Sequence, residues 1–188
     1  MKTNIFPAIK LTVVCILFFS GFYTLAVWGM ALVVAPNQGK GETVQINGKT
    51  VGYALIGQKF TEDKYFWSRP SAVDYNAASS CGSNKGPSNP DYLAVVQARL
   101  DTFLVHNPEV MKADVPAELV TASASGLDPD LSPKGATVQV ARIAKLRNIS
   151  EEKVTALVNS NIQKPLLGLF GPSKINVLKL NIELDNLK

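Results

Sequence analysis

Residues 11–34 read LTVVCILFFSGFYTLAVWGMALVV, a run of 24 residues without a charged side chain. A helix of that length covers about 36 Å, which is enough to cross a hydrocarbon core of about 30 Å. A helix inside a globular domain is rarely apolar on every side over such a distance. The stretch therefore predicts a transmembrane helix over residues 11–34, with an N-terminal stub over residues 1–10 and a domain over residues 35–188.

A cleaved signal peptide is the main alternative interpretation of this stretch. Lys2 and Lys10 would form its basic region, and Gly29-Met30-Ala31 resembles a cleavage site. Because the apolar region of a signal peptide normally spans about 7–15 residues, the length favours an uncleaved anchor. The positive-inside rule slightly favours a cytoplasmic stub and an extracytoplasmic domain, since two lysines and the free amino group precede the span while Lys40 and Lys49 follow it.

Charge and cysteine content narrow the function classes. The domain carries 17 of the 19 basic residues and all 15 acidic residues, a net charge of only +2. The basic residues are scattered among the acids, so nucleic-acid binding is not expected. Cys15 lies inside the span and Cys81 in the domain, so the domain is predicted to fold without an internal disulfide.

The catalytic and metal-binding motifs are weak. The single histidine, His106, falls where a predicted helix ends, a position more typical of capping than of catalysis. Ser150 and Lys153 match Ser-x-x-Lys, which keeps a membrane-anchored Ser/Lys hydrolase of the cell envelope as the alternative function. Ser150 is equally explained as a helix N-cap. The sequence has no phosphate-binding glycine loop and no ligand cluster, so no catalytic residue, metal or directly bound cofactor is predicted.

The domain is predicted to be an α+β fold of about three helices on a small sheet. Asn47-Gly48 suits a type I′ turn and predicts a hairpin over residues 43–56. N-cap residues and amphipathic spacing predict the helices, which cover residues 89–106, 132–147 and 150–165. A short strand is expected over residues 119–122. A last strand is expected over residues 175–185, where leucine and isoleucine alternate with polar residues.

Two polar loops separate these elements, over residues 65–90 and 123–132. The first has neither helical nor strand periodicity and interleaves aromatic residues with Ser, Asn, Gly and Pro. A structureless stretch of this length is uncommon in a compact domain unless it is functional or disordered, and the aromatic residues argue against disorder. We expect an ordered loop that presents polar groups to a partner, with a purely structural loop as the alternative.

A series of motifs runs through the chain in order: ALIGQKFT at residues 54–61, YFxxRPSA at 65–72, YN at 75–76, GSN at 82–84, SNP at 88–90, LVTASASGLD at 119–128, QVxR at 139–142 and NVLxLN at 176–181. Together they resemble the KdpC family, the C subunit of the bacterial high-affinity potassium-transporting ATPase. The resemblance implies a non-catalytic accessory subunit that crosses the inner membrane once, with its domain on the outer side.

In that family the chain assembles with a channel-like potassium-binding subunit and a P-type ATPase subunit, and the complex imports potassium at the expense of ATP. The family is described as a catalytic chaperone that promotes ATP use, so ATP is expected at the ATPase subunit. The residues that the resemblance assigns to partner binding are Arg69, Tyr75, Asn76, Ser83, Asn84, Asn89, Ser123, Ser125, Asp128, Gln139 and Arg142. Each could instead fasten a loop by satisfying buried backbone groups. In the span, Ser20, Gly21 and Thr24 share one helical face that would suit close helix packing.

Overall fold

The computed structural model describes residues 4–187. Lys2, which the sequence places in the basic region of a possible signal peptide, lies outside the described residues. The chain divides into two compact units, and the division falls between Glu42 and Thr43.

The N-terminal unit is one long helix with a change of winding in its middle. It consists of α1 (Ile5–Cys15), a π-helical segment (Ile16–Tyr23) and α2 (Thr24–Val34). The Thr24 hydroxyl donates to the carbonyl of Phe19 five residues earlier, at 2.9 Å, which matches the wider winding. The helix Ile5–Val34 is 30 residues long and, within residues 4–187, is the one helix long and apolar enough to cross a membrane. It includes the predicted span and begins six residues before it.

The predicted hairpin is confirmed. Strands β1 (Thr43–Ile46) and β2 (Lys49–Tyr53) pair in antiparallel fashion. Asn47 and Gly48 connect them with φ values of 49° and 76°, the positive values that a type I′ turn requires.

Two predicted helices are confirmed by their caps. Helix α3 (Pro90–His106) begins after Asn89, whose side chain accepts from the N–H of Tyr92 at 2.9 Å. Helix α6 (Glu151–Ser160) begins after Ser150, which caps it in the same way. Cap residues act over a few positions along the chain, so the local sequence is enough to predict them.

The helix predicted over residues 132–147 is in fact two helices, α4 (Pro133–Thr137) and α5 (Val140–Arg147). At the break the N–H of Gln139 donates to the carbonyl of Ala136, three residues earlier, which tightens the turn. The Gln139 side chain is then directed into the core, where it bonds to backbone groups of two segments.

The predicted last strand is wrong. Only Ile175–Asn176 form a strand, β4, and residues Val177–Asn186 form helix α7. The Asn176 side chain accepts from the N–H of Lys179 at 3.0 Å and so acts as an N-cap that the sequence interpretation overlooked. The buried residues of this helix recur at helical spacing, at positions 177, 178, 180, 181 and 184, whereas Ile182 is only half-buried.

The strand predicted over residues 119–122 is also wrong, because a 3-10 turn, Ala117–Leu119, occupies its start. Thr121 donates through its hydroxyl to the carbonyl of Ala117 at 2.7 Å, a local bond that competes with strand pairing. Strand β3 (Asp130–Leu131) instead pairs with β4. The α+β class is confirmed, but the hairpin and the last strand belong to two separate two-stranded sheets rather than to one.

The core of the domain lies between α3, α5, α6 and α7 and includes a loop residue, Phe66, which is fully buried. Phe66 anchors residues 65–90 to the core, so this loop is part of the packed structure. Residues 163–174, between α6 and β4, form a second hairpin with bridges between Gln163 and Lys174 and between Leu166 and Phe170.

Candidate interaction site

The two polar loops form one bonded surface, which we call the joined loops (residues 65–90 and 121–133). The Ser71 hydroxyl donates to the carbonyl of Gly126 at 2.7 Å. The N–H of Ser123 donates to the carbonyl of Pro70 at 3.1 Å. Residues distant in sequence thus present one preformed polar surface.

An ion pair lies at the centre of the joined loops. One guanidinium nitrogen of Arg69 lies 2.9 Å from a carboxylate oxygen of Asp128, and the two side chains are only 25% and 27% exposed. The Asp128 carboxylate also accepts from the N–H of Asp130 at 3.0 Å. The Nε of Arg69 is buried and has no hydrogen-bond partner among the described residues. The pair is therefore fixed in place but leaves one donor unsatisfied.

Tyr75 supports this pair from the loop side. Its hydroxyl donates to the carbonyl of Arg69. Burial, with a smaller contribution from the Asp128 charge, raises the pKa of Tyr75 to about 12. The phenol therefore remains a neutral donor throughout the physiological pH range.

A groove runs between the first loop and α3, with a cavity volume of about 430 Å³. Trp67 and Phe103 form part of its apolar wall, and their rings meet edge to face with centroids 6.4 Å apart. Cationic groups line it as well, since Arg69 and Arg99 lie along it and Lys59, paired with Asp74 at 2.6 Å, lies at its edge. The groove joins an apolar wall to positive charge.

Glycines allow the chain segments to approach this closely. A Cβ at Gly57 would lie 2.4 Å from the backbone oxygen of Asp128, while the N–H of Gly57 donates to the carbonyl of Leu127 at 2.8 Å. Gly126 has φ +69°, and its Cβ would lie 2.5 Å from a side-chain carbon of Val73. These contacts leave no room for a side chain at either position.

Gln139 and Arg142 hold the loop from below. The Gln139 side-chain oxygen accepts from the N–H of Trp67 at 2.8 Å, and its amide nitrogen donates to the carbonyl of Trp67 at 3.2 Å. Arg142 donates to that same Gln139 oxygen at 2.7 Å and to the backbone carbonyls of Asp63 and Tyr65. Burial lowers the pKa of Arg142 to about 10, against the opposing effect of the Asp63 charge. Since both side chains are buried and occupied, they fix the loop rather than face a partner.

Three further buried amides complete this support, and the motif analysis did not assign any of them. The Asn181 side chain bonds to both backbone groups of Phe66, at 2.9 and 3.0 Å. Asn107 accepts from Arg142 at 2.9 Å, and Asn176 donates to the carbonyl of Ala54 at 2.7 Å. Asn176 and Asn181 fall inside the NVLxLN motif. Polar residues within this otherwise apolar motif were the sequence feature that could have indicated buried amides.

The remaining predicted residues differ in exposure. Ser123 is buried and accepts from the N–H of Gly126 at 3.0 Å, and Asn89 caps α3. Asn76, Asn84 and Ser125 are exposed, and Ser83 is half-buried. The members with surface to offer a partner are therefore Arg69, Tyr75, Asn76, Ser83, Asn84, Ser125 and Asp128.

The residues weighed for catalysis have structural partners. One ring nitrogen of His106 lies 2.8 Å from a carboxylate oxygen of Asp63, and its ring packs edge to face on Trp67 at 4.9 Å. The Ser150 hydroxyl caps α6 and bonds to the Glu152 carboxylate, whose pKa is lowered first by its own backbone N–H and then by Ser150. Within residues 4–187, His, Cys, Asp and Glu form no group that could hold a metal ion.

Comparisons with known proteins agree with this architecture. The family model described as "KdpC: K+-transporting ATPase, c chain" matches residues 5–186. A protein named potassium-transporting ATPase KdpC subunit from Bacteroides fragilis is 57% identical over 100% of this chain and 99% of its own length. The proteins of that name from Flavobacterium psychrophilum and Caldanaerobacter subterraneus subsp. tengcongensis are 58% and 45% identical over 98% of this chain, and over 99% and 95% of their own lengths.

The fold and the comparisons define a single-pass membrane protein with one α+β domain. The chain belongs to the KdpC family. It is thus a subunit of a multi-subunit K+-transporting ATPase and takes part in potassium transport.

Proposed function

We propose that this chain is a non-catalytic accessory subunit that assembles with a channel-like potassium-binding subunit and a P-type ATPase subunit, stabilises them, and promotes ATP use. The exposed face of the joined loops would contact the potassium-binding subunit. The observation that carries the proposal is the fixed Arg69–Asp128 pair, about a quarter of whose side-chain surface is exposed at the centre of the joined loops. A charged donor held in place by a rigid loop loses little entropy on binding, which favours specific recognition of an acceptor.

The domain would lie on the extracytoplasmic side of the inner membrane. ATP would bind at the ATPase subunit in the cytoplasm, so the effect of this chain on ATP use would be a coupling between distant sites through the assembled complex. Its own residues would bind and orient a partner, and no step of ATP hydrolysis would involve them.

The membrane helix would contribute a second contact. A Cβ added to Gly21 would meet nothing within 4 Å, so no contact among residues 4–187 explains the glycine. Ser20 and Thr24 are exposed beside it. Small residues on one face let another transmembrane helix approach closely, so we assign Ser20, Gly21 and Thr24 to packing against a partner helix.

The test is to purify the complex in mild detergent through a tag on this chain and to measure ATP hydrolysis with and without potassium. Co-purification of the pump subunits and potassium-stimulated hydrolysis are expected. Recovery of the chain alone, together with normal growth at limiting potassium of cells that lack it, would contradict the proposal. If changing Ser150 or Lys153 alone then abolished an envelope hydrolase activity, the anchored-hydrolase interpretation would replace it.

A further inference from the structure

The end of the second hairpin is an exposed apolar surface, which we call the apolar tip (residues 166–170). Leu166, Leu167, Leu169 and Phe170 are 70%, 81%, 81% and 63% exposed. Each alone would be ordinary, because folded proteins expose many apolar atoms. Four large apolar side chains among five consecutive residues form a continuous patch, which is typical of an interaction surface.

The backbone conformation of the turn indicates that Leu167 does not serve to stabilise the fold. Leu167 and Gly168 are the central residues of the turn, with φ values of 55° and 73°. Asn47 and Gly48 take nearly the same values, 49° and 76°, in the first hairpin. Asparagine tolerates this left-handed conformation, whereas leucine is strained in it. The chain thus accepts backbone strain in order to place a leucine at the most exposed point of the second hairpin.

The tip is held firmly. Leu166 and Phe170 exchange two backbone bonds, each 3.0 Å long, and Gln163 and Lys174 exchange two more at 2.8 and 3.1 Å. The hairpin then enters the core directly through Ile175, which is fully buried. The apolar side chains are therefore presented at the end of a rigid arm.

The membrane anchor keeps the domain near a lipid surface. Eight residues, 35–42, connect the end of α2 to β1, and at most about 3.5 Å per residue they reach about 28 Å. A domain of about 145 residues has a diameter of about 40 Å. Because the tether is shorter than the domain is wide, the first residue of the domain stays within less than one domain diameter of the end of the membrane helix.

Charge at the base of the hairpin fits an anionic lipid surface. Residues 163–174 contain two lysines and no acidic residue. Lys174 is paired with Asp130 at 2.7 Å, while Lys164 is exposed and has no ion-pair partner among the described residues. Leucine and phenylalanine beside lysine is the composition of segments that enter the membrane interface.

We propose that the apolar tip inserts into the headgroup region of the bilayer and fixes the orientation of the domain on the membrane. Lipid is its occupant, and Lys164 faces the phosphate groups. This inference does not depend on which subunit the joined loops contact.

The test compares matched turn positions in the two hairpins. In the full chain with Cys15→Ser and Cys81→Ser, a polarity-sensitive fluorophore is attached through Leu167→Cys or, as control, Asn47→Cys. Both proteins, alone and in the assembled complex, are placed in nanodiscs of phosphatidylethanolamine and phosphatidylglycerol. Doxyl-labelled lipid and aqueous iodide then serve as quenchers, and thermal unfolding verifies that each variant is folded.

We expect the label at position 167 to be blue-shifted and to be quenched by doxyl lipid about twofold or more above position 47, with the reverse order for iodide. Strong iodide quenching at position 167 would show a tip in water and overturn the proposal. Weak quenching by both agents in the complex would show a tip covered by protein and would also overturn it. The same quenching measurement on the chain alone distinguishes a tip covered by protein from a complex that has failed to assemble.

Discussion

The joined loops and the second hairpin are both exposed and contain little regular structure, yet they are held in opposite ways. The second hairpin is fastened by its own backbone bonds and needs no buried side chain from elsewhere in its turn. The joined loops lack such a ladder, and their backbone is bound instead by the buried side chains of Gln139, which precedes α5, Arg142 of α5 and Asn181 of α7. An irregular loop buried at its base must obtain its hydrogen bonds from side chains. A surface built in this way is specific in shape but depends on a few residues.

Arg142→Ala should have the largest effect, because it removes a buried charge that donates to four backbone or amide acceptors. We expect a loss of about 3–5 kcal/mol of unfolding free energy, measured by denaturant titration in mild detergent with Trp67 fluorescence. The control is Lys64→Ala, which removes an exposed pair with Glu62 and should cost far less. Equal losses of unfolding free energy in the two variants would show that the buried bonds of Arg142 stabilise the domain no more than an exposed ion pair does.

Gly57→Ala should rank next. Its Cβ would lie 2.4 Å from the backbone oxygen of Asp128, so the segment around Gly57 would have to move away from the joined loops. We expect a loss of about 1–3 kcal/mol in the same titration. Gly86→Ala is the control, since a Cβ there meets nothing within 4 Å. A tolerated Gly57→Ala would mean that the segment around Gly57 is not packed tightly against Asp128.

Tyr75→Phe should change the pH dependence of stability. The pKa of Tyr75 in the folded chain is about 12, above its ordinary value of 10, so the unfolded chain releases this proton first as pH rises. The stabilisation is complete below pH 10 and is lost between about pH 10 and 12, a difference of at most about 2 kcal/mol after allowance for partial exposure. Unfolding titrations across that range should fall more steeply for the native chain than for the variant. Parallel curves would contradict the assignment.

Exchange of the matched turn residues, Leu167 and Asn47, should change the free energy of unfolding least of all. Leu167→Asn should raise the free energy of unfolding by up to roughly 1 kcal/mol, because asparagine relieves the left-handed strain. The reciprocal Asn47→Leu should lower it by a similar amount, which thermal unfolding can measure. If Leu167→Asn were destabilising, the leucine would be serving the fold, and the argument for a functional tip would lose its basis.

The sequence predicted the features that local chemistry determines. Asn89, Ser150 and the Asn47-Gly48 turn were identified because each acts on groups within a few residues. Helix α7 was mistaken for a strand because Leu178, Leu180 and Leu184 satisfy both periodicities, and the choice depends on which face meets the core. No local pattern could have shown that strands β3 and β4 pair with each other across more than 40 residues.

The candidate site shows the same limit. The motifs identified Gln139 and Arg142 but not their depth, since only the folded chain shows that they lie beneath residues 63–67. Asn181 escaped notice because it was placed on the polar side of a supposed strand, whereas the helix turns it inward to Phe66. That the exposed members of the set, from Arg69 to Asp128, bind a partner stays a prediction.

The central claim is that the joined loops bind a partner through the Arg69–Asp128 pair. Its most direct test is ATP hydrolysis by the purified complex containing Arg69→Ala, with Lys64→Ala as the loss of an exposed ion pair outside the joined loops. Because the Arg69–Asp128 pair is about three-quarters buried, thermal unfolding first verifies that each variant is folded. We predict that Arg69→Ala lowers the amount of co-purified pump subunits and the potassium-stimulated rate, while Lys64→Ala preserves both. Normal assembly and potassium stimulation with Arg69→Ala would contradict the claim.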